Sequence, residues 1–317
     1  MGPMLLSGRL GLTALLSTLM PAAHAAEQAI QREYSVAGGA TLKLDTYRGT
    51  IEVGQSDDAR IHLRISEQVT NAEAAEAAAI FKRVEIGEKA DAGAVSVVVR
   101  NPAETRVLFV WKEKERVALN YSILVPKTCS VVLSTNQGDI NVNDITGSVD
   151  AKAAKGTVFL RRIDGDIRAE AEAGDLIVSR CLGSASLRVR SGNIRVGTIG
   201  RHADLWALSG DINVQHAHGG LVASAEAGNV SIGLEKEFPE QVKIKTSGGG
   251  IDVKLDPGAR CRIQARSVWG KVHAALPILV RSGGDGERSL DALFNGGGPL
   301  LELHADGGQV YIGLPKS

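Results

Sequence analysis

The sequence predicts an all-β protein, a parallel β-solenoid with about 18 residues and two short strands per coil. Three observations predict it. Glycine recurs every nine residues at Gly138, Gly147, Gly156, Gly165, Gly174, Gly183, Gly192, Gly210, Gly219 and Gly228, with one beat missed at Arg201. The units between glycines alternate between two kinds, so the true period is 18. Inside each unit apolar and polar residues alternate, which is the period of a strand with one buried face.

The first kind of unit reads Gly-Asp-Ile-Asn-Val at 138–142 and 210–214, Gly-Asp-Leu-Ile-Val at 174–178 and Gly-Asn-Ile-Arg-Val at 192–196. The second kind sets small or branched residues two, four and six places after glycine, as in Val149, Ala151, Ala153 and Ile167, Ala169, Ala171. Glycine marks the corners, where positive φ or close backbone approach is cheap only for glycine. Stacked coils then pair strand on strand, about 4.7–4.9 Å apart. A right-handed coil is expected from the general rule for parallel crossovers. A hexapeptide solenoid fails because six steps on from Ile140 lie Thr146 and Lys152. A calcium-binding nonapeptide roll would need paired glycines and an aspartate in every unit. Here that column runs Asp139, Thr157, Asp175, Asn193, Asp211, Asn229. It is expected to bond local backbone at the corner.

Taken in order, residues 1–25 read as a secretory signal peptide: Arg9, an apolar run from Leu10 to Met20, and an Ala-x-Ala pattern ending at Ala25. Residues 26–125 form an N-terminal β segment, with Tyr47–Val53 resembling an early repeat unit. The alanine-rich stretch 71–83 predicts a helix, capped by Thr70 or Asn71, that flanks the end of the stack. The charged stretch Trp111–Arg116 reads as a solvated loop. Residues 126–317 form the solenoid proper, with a loop insertion over 274–299 that includes a short helical piece at Leu290–Phe294. The last unit, Gly308–Ile312, is expected to close the stack.

The 36 basic residues balance the 36 acidic ones, so no net field draws the chain to nucleic acid. Past the leader no apolar run is long enough to span a bilayer. The mature chain is therefore expected in a periplasm or outside the cell. Cys129, Cys181 and Cys261 are expected to lie coils apart, too far for a disulfide, with Cys181 a small buried hydrophobe. There is no P-loop, dinucleotide fingerprint, Gly-x-Ser-x-Gly, His-Glu-x-x-His or Cys-x-x-Cys. No cofactor and no catalytic residue is expected.

Several stretches carry a family resemblance. They are Gln-Gly-Asp-Ile-Asn-Val (137–142), Ser-Gly-Asp-Ile-Asn-Val (209–214), the Leu-Val-Pro-Lys lead-in (124–127) and the Asp-Pro-Gly-Ala-Arg break (256–260). With them the chain resembles, over residues 31–314, a family of bacterial adhesin-like proteins with β-strand repeats, a domain otherwise of unknown function. The resemblance implies an exported or surface-associated solenoid, and it supplies no catalytic residues.

Two groups of side chains are candidates for a site. His202, Asp204, His216 and His218 fall near one corner, a coil apart, where imidazoles and a carboxylate could hold a transition metal. The plainer alternative is three exposed corner histidines. Phe159 and Ile177 share one outward column and Trp206 lies on the other face. They mark a partner surface, or they sit under the N-terminal segment. Outward charges such as Lys152, Glu170, Arg188, Glu172 and Arg190 are expected to stack as ladders that stabilise register. The expected function is a non-enzymatic adhesin-like or scaffold module of the cell envelope, with an envelope polysaccharide or an outer-membrane or surface protein as partner. The alternatives are a polysaccharide-processing enzyme on a parallel β-helix and a self-assembling filament module.

Overall fold

The structure is a computed structural model describing residues 26–70, 74–102 and 117–315. The expected leader and the Trp111–Arg116 stretch lie outside the described residues.

The chain begins with β1 (Ala26–Ser35), β2 (Thr41–Thr46), β3 (Thr50–Ser56), β4 (Arg60–Val69), α1 (Ala74–Phe81), β5 (Glu85–Ala90), β6 (Ala94–Arg100) and β7 (Val117–Pro126). The regular coils follow as β8 (Ser130–Thr135), β9 (Ile140–Val142), β10 (Val149–Lys155), β11 (Val158–Ile163), β12 (Ile167–Ala173), β13 (Leu176–Cys181) and β14 (Ala185–Ser191). They continue as β15 (Ile194–Ile199), β16 (Ala203–Ser209), β17 (Ile212–Ala217), β18 (Leu221–Ala227), β19 (Val230–Leu234), β20 (Val242–Thr246) and β21 (Ile251–Leu255). The chain ends with β22 (Cys261–Ser267), β23 (Val272–Ala274), β24 (Ile278–Gly283), β25 (Ser289–Phe294), β26 (Leu300–Ala305) and β27 (Val310–Gly313).

These strands build two facing sheets, of thirteen and fourteen strands among the described residues. Through the regular region each coil gives one strand to each sheet. The pairs are parallel and in the register that the repeat requires: Val149 faces Ile167, and Val158 faces Leu176. Alternation puts one apolar column after another between the sheets. Ile140, Val158, Leu176, Ile194 and Ile212 form one column, and Leu187, Leu205 and Ala223 belong to another; all are at most 1% exposed. Each large aliphatic side chain so buried contributes roughly 1.5–3 kcal/mol. Cys181 sits in such a column between Ile163 and Ile199. All three cysteines are buried and free.

The two kinds of glycine serve the corners differently. Gly138, Gly156, Gly174, Gly192, Gly210 and Gly228 have φ between +136° and +154°, a conformation other residues rarely adopt. Gly147, Gly165 and Gly183 lack positive φ, but a Cβ there would strike the carbonyl oxygen of Cys129, Gly147 and Gly165 on the preceding coil. Contrary to the expectation from the sequence, the Asx column after the first kind of glycine does not bond local backbone but the next coil. Asp139 accepts from the Thr157 amide, Asp175 from Asn193, Asn193 from Asp211, and Asp211 from Asn229. At this corner the amide points along the stack. The side chain of one coil therefore satisfies the backbone of the next.

The ends depart from the expectations most. The helix is Ala74–Phe81 and ends two residues before the expected 83, while 71–73, with the expected Asn71 cap, lie outside the described residues; it buries Ala77 and Ile80 against Val69. Leu290–Phe294 is not helical. It belongs to β25, where Leu290, Ala292 and Phe294 alternate inward, a strand period too short to tell from a helical turn in sequence. The expected loop over 274–299 is mostly the antiparallel hairpin of β24 and β25. The last unit does not close the stack either. β26 lies between β20 and β22, and β27 between β21 and β23. The chain skips one place, builds the end, and returns to fill the gap. The start mirrors this, with β2 and β3 lying inside β6 and β7. One hydrophobic core runs from Leu42 to Ile312.

One inner coil is irregular. Leu221 faces Val242 and Val230 faces Ile251, so three extra residues are carried within Glu235–Gln241. Just before it the register of β17 against β19 shifts between Val214 and Ala217.

Candidate binding face

Outward residues of the fourteen-stranded sheet stack into columns because every coil repeats the same register. One column places Lys152 beside Glu170, Glu170 beside Arg188, Arg188 beside Trp206 and Trp206 beside Ser224. Along this column, across β8, β10, β12, β14 and β16, lies an open trough of about 350 Å³. It is lined by Ser134, Asn136, Lys152, Glu170, Glu172, Arg188, Arg190 and Trp206, with Ala153, Ala154 and Ala171 among its small residues. Of these only Ala154 faces outward, where a long side chain would fill the trough; Ala153 and Ala171 are buried in the core and contribute only their backbone edge.

The charges in the trough are partly committed. Lys152 Nζ lies 3.5 Å from Glu170 Oε2, and Arg168 Nη2 lies 3.0 Å from Glu170 Oε1. Arg188 reaches forward one coil to Asp204 at 3.7 Å. Exposed pairs of this kind are worth at most about 1 kcal/mol each. The hydrogen bond from Arg168 holds Glu170 below the ordinary glutamate range, assisted by Lys152. Glu172 and Arg190, expected to pair, make no ion pair with another described residue. The trough thus presents one half-buried indole, fixed carboxylate and guanidinium groups, and a free acid and base.

The other candidates are placed as follows. Phe159 and Ile177 are register partners on β11 and β13, half-buried on the thirteen-stranded sheet and so on the face opposite Trp206. The N-terminal strands prolong the sheets at one end rather than covering this pair. His202, Asp204, His216 and His218 are not gathered. His202 Nδ1 lies 3.4 Å from Glu240, His216 Nδ1 lies 2.6 Å from Glu235, and Asp204 pairs with Arg188. His218 is exposed. Among the described residues no group of three His, Cys, Asp or Glu side chains is placed to hold a metal ion. The regular register sets His216 beside Thr198 of the preceding coil and not beside His202. Glu235 and Glu240, from the irregular coil, engage the two histidines separately. Sequence reasoning missed both glutamates. The available signal was the failure of the glycine beat after Leu234.

Fold and face together define a two-sheeted parallel β-solenoid with a polar, Trp-bearing trough on one sheet. The chain belongs to the Toastrack DUF4097 family, whose model matches residues 40–289. No curated protein matches it. Among solved structures it is similar to a "putative adhesin" of Bacteroides fragilis at 14% identity and TM-score 0.44, covering 90% of this chain and 97% of that one. It is also similar to a "putative lipid binding protein" of Parabacteroides distasonis at 15% identity and TM-score 0.45, covering 90% and 96%. A "putative cell adhesion protein" of Clostridium sporogenes matches at 12% identity and TM-score 0.25, covering 92% and 100%.

Proposed function

We propose that this protein is an exported, non-enzymatic, adhesin-like module of the cell envelope that binds polysaccharide along the fourteen-stranded sheet. The observation that carries this is the trough at Trp206. An indole face offers a stacking platform to a pyranose ring, because both are flat and partly apolar. Arg190, Glu172, Asn136 and Ser134 line the same trough with donors and acceptors for hydroxyl groups. The outward columns repeat at the coil rise, so a linear polymer lying along the stack meets an outward side chain, most of them polar or charged, at each successive step. The state of Glu170 supports the non-enzymatic reading. A glycosidase acid needs a raised pKa, and Arg168 pushes this one down.

The test is a glycan array and an envelope-fraction pull-down with the chain starting at Ala26. Binding to a defined polysaccharide, weakened at least tenfold by Trp206→Ala, is expected. Equal binding by that variant would remove the trough from the function. A shortened polysaccharide product would overturn the non-enzymatic reading.

A further inference from the structure

The two ends of the stack are finished differently. At the N-terminal end the sheet edges are β1 and β5. Both carry charge: Glu27, Arg32 and Glu33 on β1, and Glu85, Glu88 and Lys89 on β5. The two edges are also tied to each other. Arg32 Nε donates to Glu88 Oε1 at 3.0 Å, and the Tyr34 hydroxyl donates to Glu88 Oε2 at 2.8 Å. Charged edge residues of this sort prevent a strand from pairing with another chain.

At the C-terminal end the edge of the fourteen-stranded sheet is β24. It reads Ile278-Leu279-Val280-Arg281-Ser282-Gly283, three apolar residues and one charge. Its register explains why it looks unfinished. Ile278 faces Phe294 and Val280 faces Ala292, so both continue interior columns. Phe294 and Ala292 are at most 1% exposed, yet Val280 is 46% exposed because no further strand lies beyond it. Leu279, on the outer face, is 68% exposed, and Trp269, in the turn after β22, is 79% exposed at the same end. Solenoids stay soluble when their terminal units present a polar outer side. This end does not.

We propose that the C-terminal end is a homodimer interface in which β24 pairs antiparallel with β24 of a second copy about a two-fold axis. A strand paired with itself is self-complementary by symmetry. The pairing satisfies the open backbone edge and, with the axis at Leu279, sets Leu279 against Leu279 of the second copy and Val280 against its Ile278. The apolar side chains exposed at this end amount to on the order of 400 Å² per copy, taking ~150–250 Å² for a large aromatic. That is about half of the ~800 Å² that each partner of a stable complex buries. The paired strands and their flanks supply the remainder. A head-to-tail stack is disfavoured, because it would lay this apolar run against Glu85, Glu88 and Lys89 of β5.

Light scattering and sedimentation of the chain from Ala26 across a concentration series test the proposal. The expected species is a dimer whose dissociation constant rises at least tenfold in Leu279→Lys. That substitution sits on an exposed position, so circular dichroism should show an unchanged fold. Hydrogen exchange supplies a second readout, with the β24 amides that face away from β25 protected in the parent and exchanging freely in the variant. A monomer at all concentrations overturns the proposal. So does a dimer indifferent to Leu279→Lys with the edge-facing β24 amides unprotected, and so does a polymer that grows with concentration, which would indicate head-to-tail stacking.

Discussion

Glu67 lies on β4 with its side chain 1% exposed and its Oε2 without a hydrogen-bond partner. Burial pushes its carboxyl from the ordinary 4.5 up to about 7. The native state therefore holds a proton that the unfolded chain releases near 4.5. Its contribution to stability is whole below that pH, declines as pH rises from 4.5 to 7, and is gone above 7. The shift corresponds to about 3 kcal/mol at alkaline pH. Glu67→Gln removes the ionisable group while keeping most of its volume. The variant is expected to be about 1–3 kcal/mol more stable than the parent at pH 8. It should also show a flatter stability profile between pH 4.5 and 7. Urea midpoints at pH 4.5, 6 and 8 measure both, and parallel profiles for parent and variant would show that Glu67 is not the group responsible. The burial of Glu67 was legible only in part. It occupies an inward position of Arg60–Val69, but alternation alone treats an inward glutamate as a misfit and does not reveal that it stays there.

At the scale of elements, what the sequence revealed and what it hid have different physical origins. The strands β10 to β19 were readable because their two signals, alternation and the glycine beat, are local and repeat many times. The Asx column was located correctly but its bonds were not, because a side chain at a corner can serve its own coil or the next. The placement of β26 and β27 was not readable at all. Each is an ordinary strand in sequence, and its neighbours are fixed by which earlier strands were left unpaired. This placement has a consequence for stability. β26 alone joins β20 to β22, and β27 alone joins β21 to β23. Removing residues 299–315 exposes the partners of Leu301, Leu303, Val310 and Ile312, all at most 1% exposed. The cost is on the order of 6–12 kcal/mol. In a chain covering 26–298, hydrogen exchange should show β22 to β25 unprotected while β10 to β17 keep the protection they have in the full chain. Retained protection in β22 to β25 would mean that this end folds without its inserted coil.

For the molecule as a whole, the trough and the open end act on the same sheet. Antiparallel pairing of β24 with its copy about a two-fold axis normal to the sheet joins two fourteen-stranded sheets edge to edge. That operation keeps outer faces on one side, so both Trp206 troughs of a dimer face the same way. A long polysaccharide can then engage both, whereas a short oligosaccharide engages one. Engagement of two linked sites raises apparent affinity by about 10²–10⁴ without any new contact. The dimer is expected to bind polymer that much more tightly than oligosaccharide of the same composition. Leu279→Lys should lose the difference while keeping the oligosaccharide affinity, since it touches no residue of the trough. Titrating both ligands into both proteins separates the two ideas. Equal polymer affinity in parent and variant would leave the trough in place and remove dimerisation from its function. Loss of oligosaccharide binding in Trp206→Ala alone would establish the trough independently of assembly.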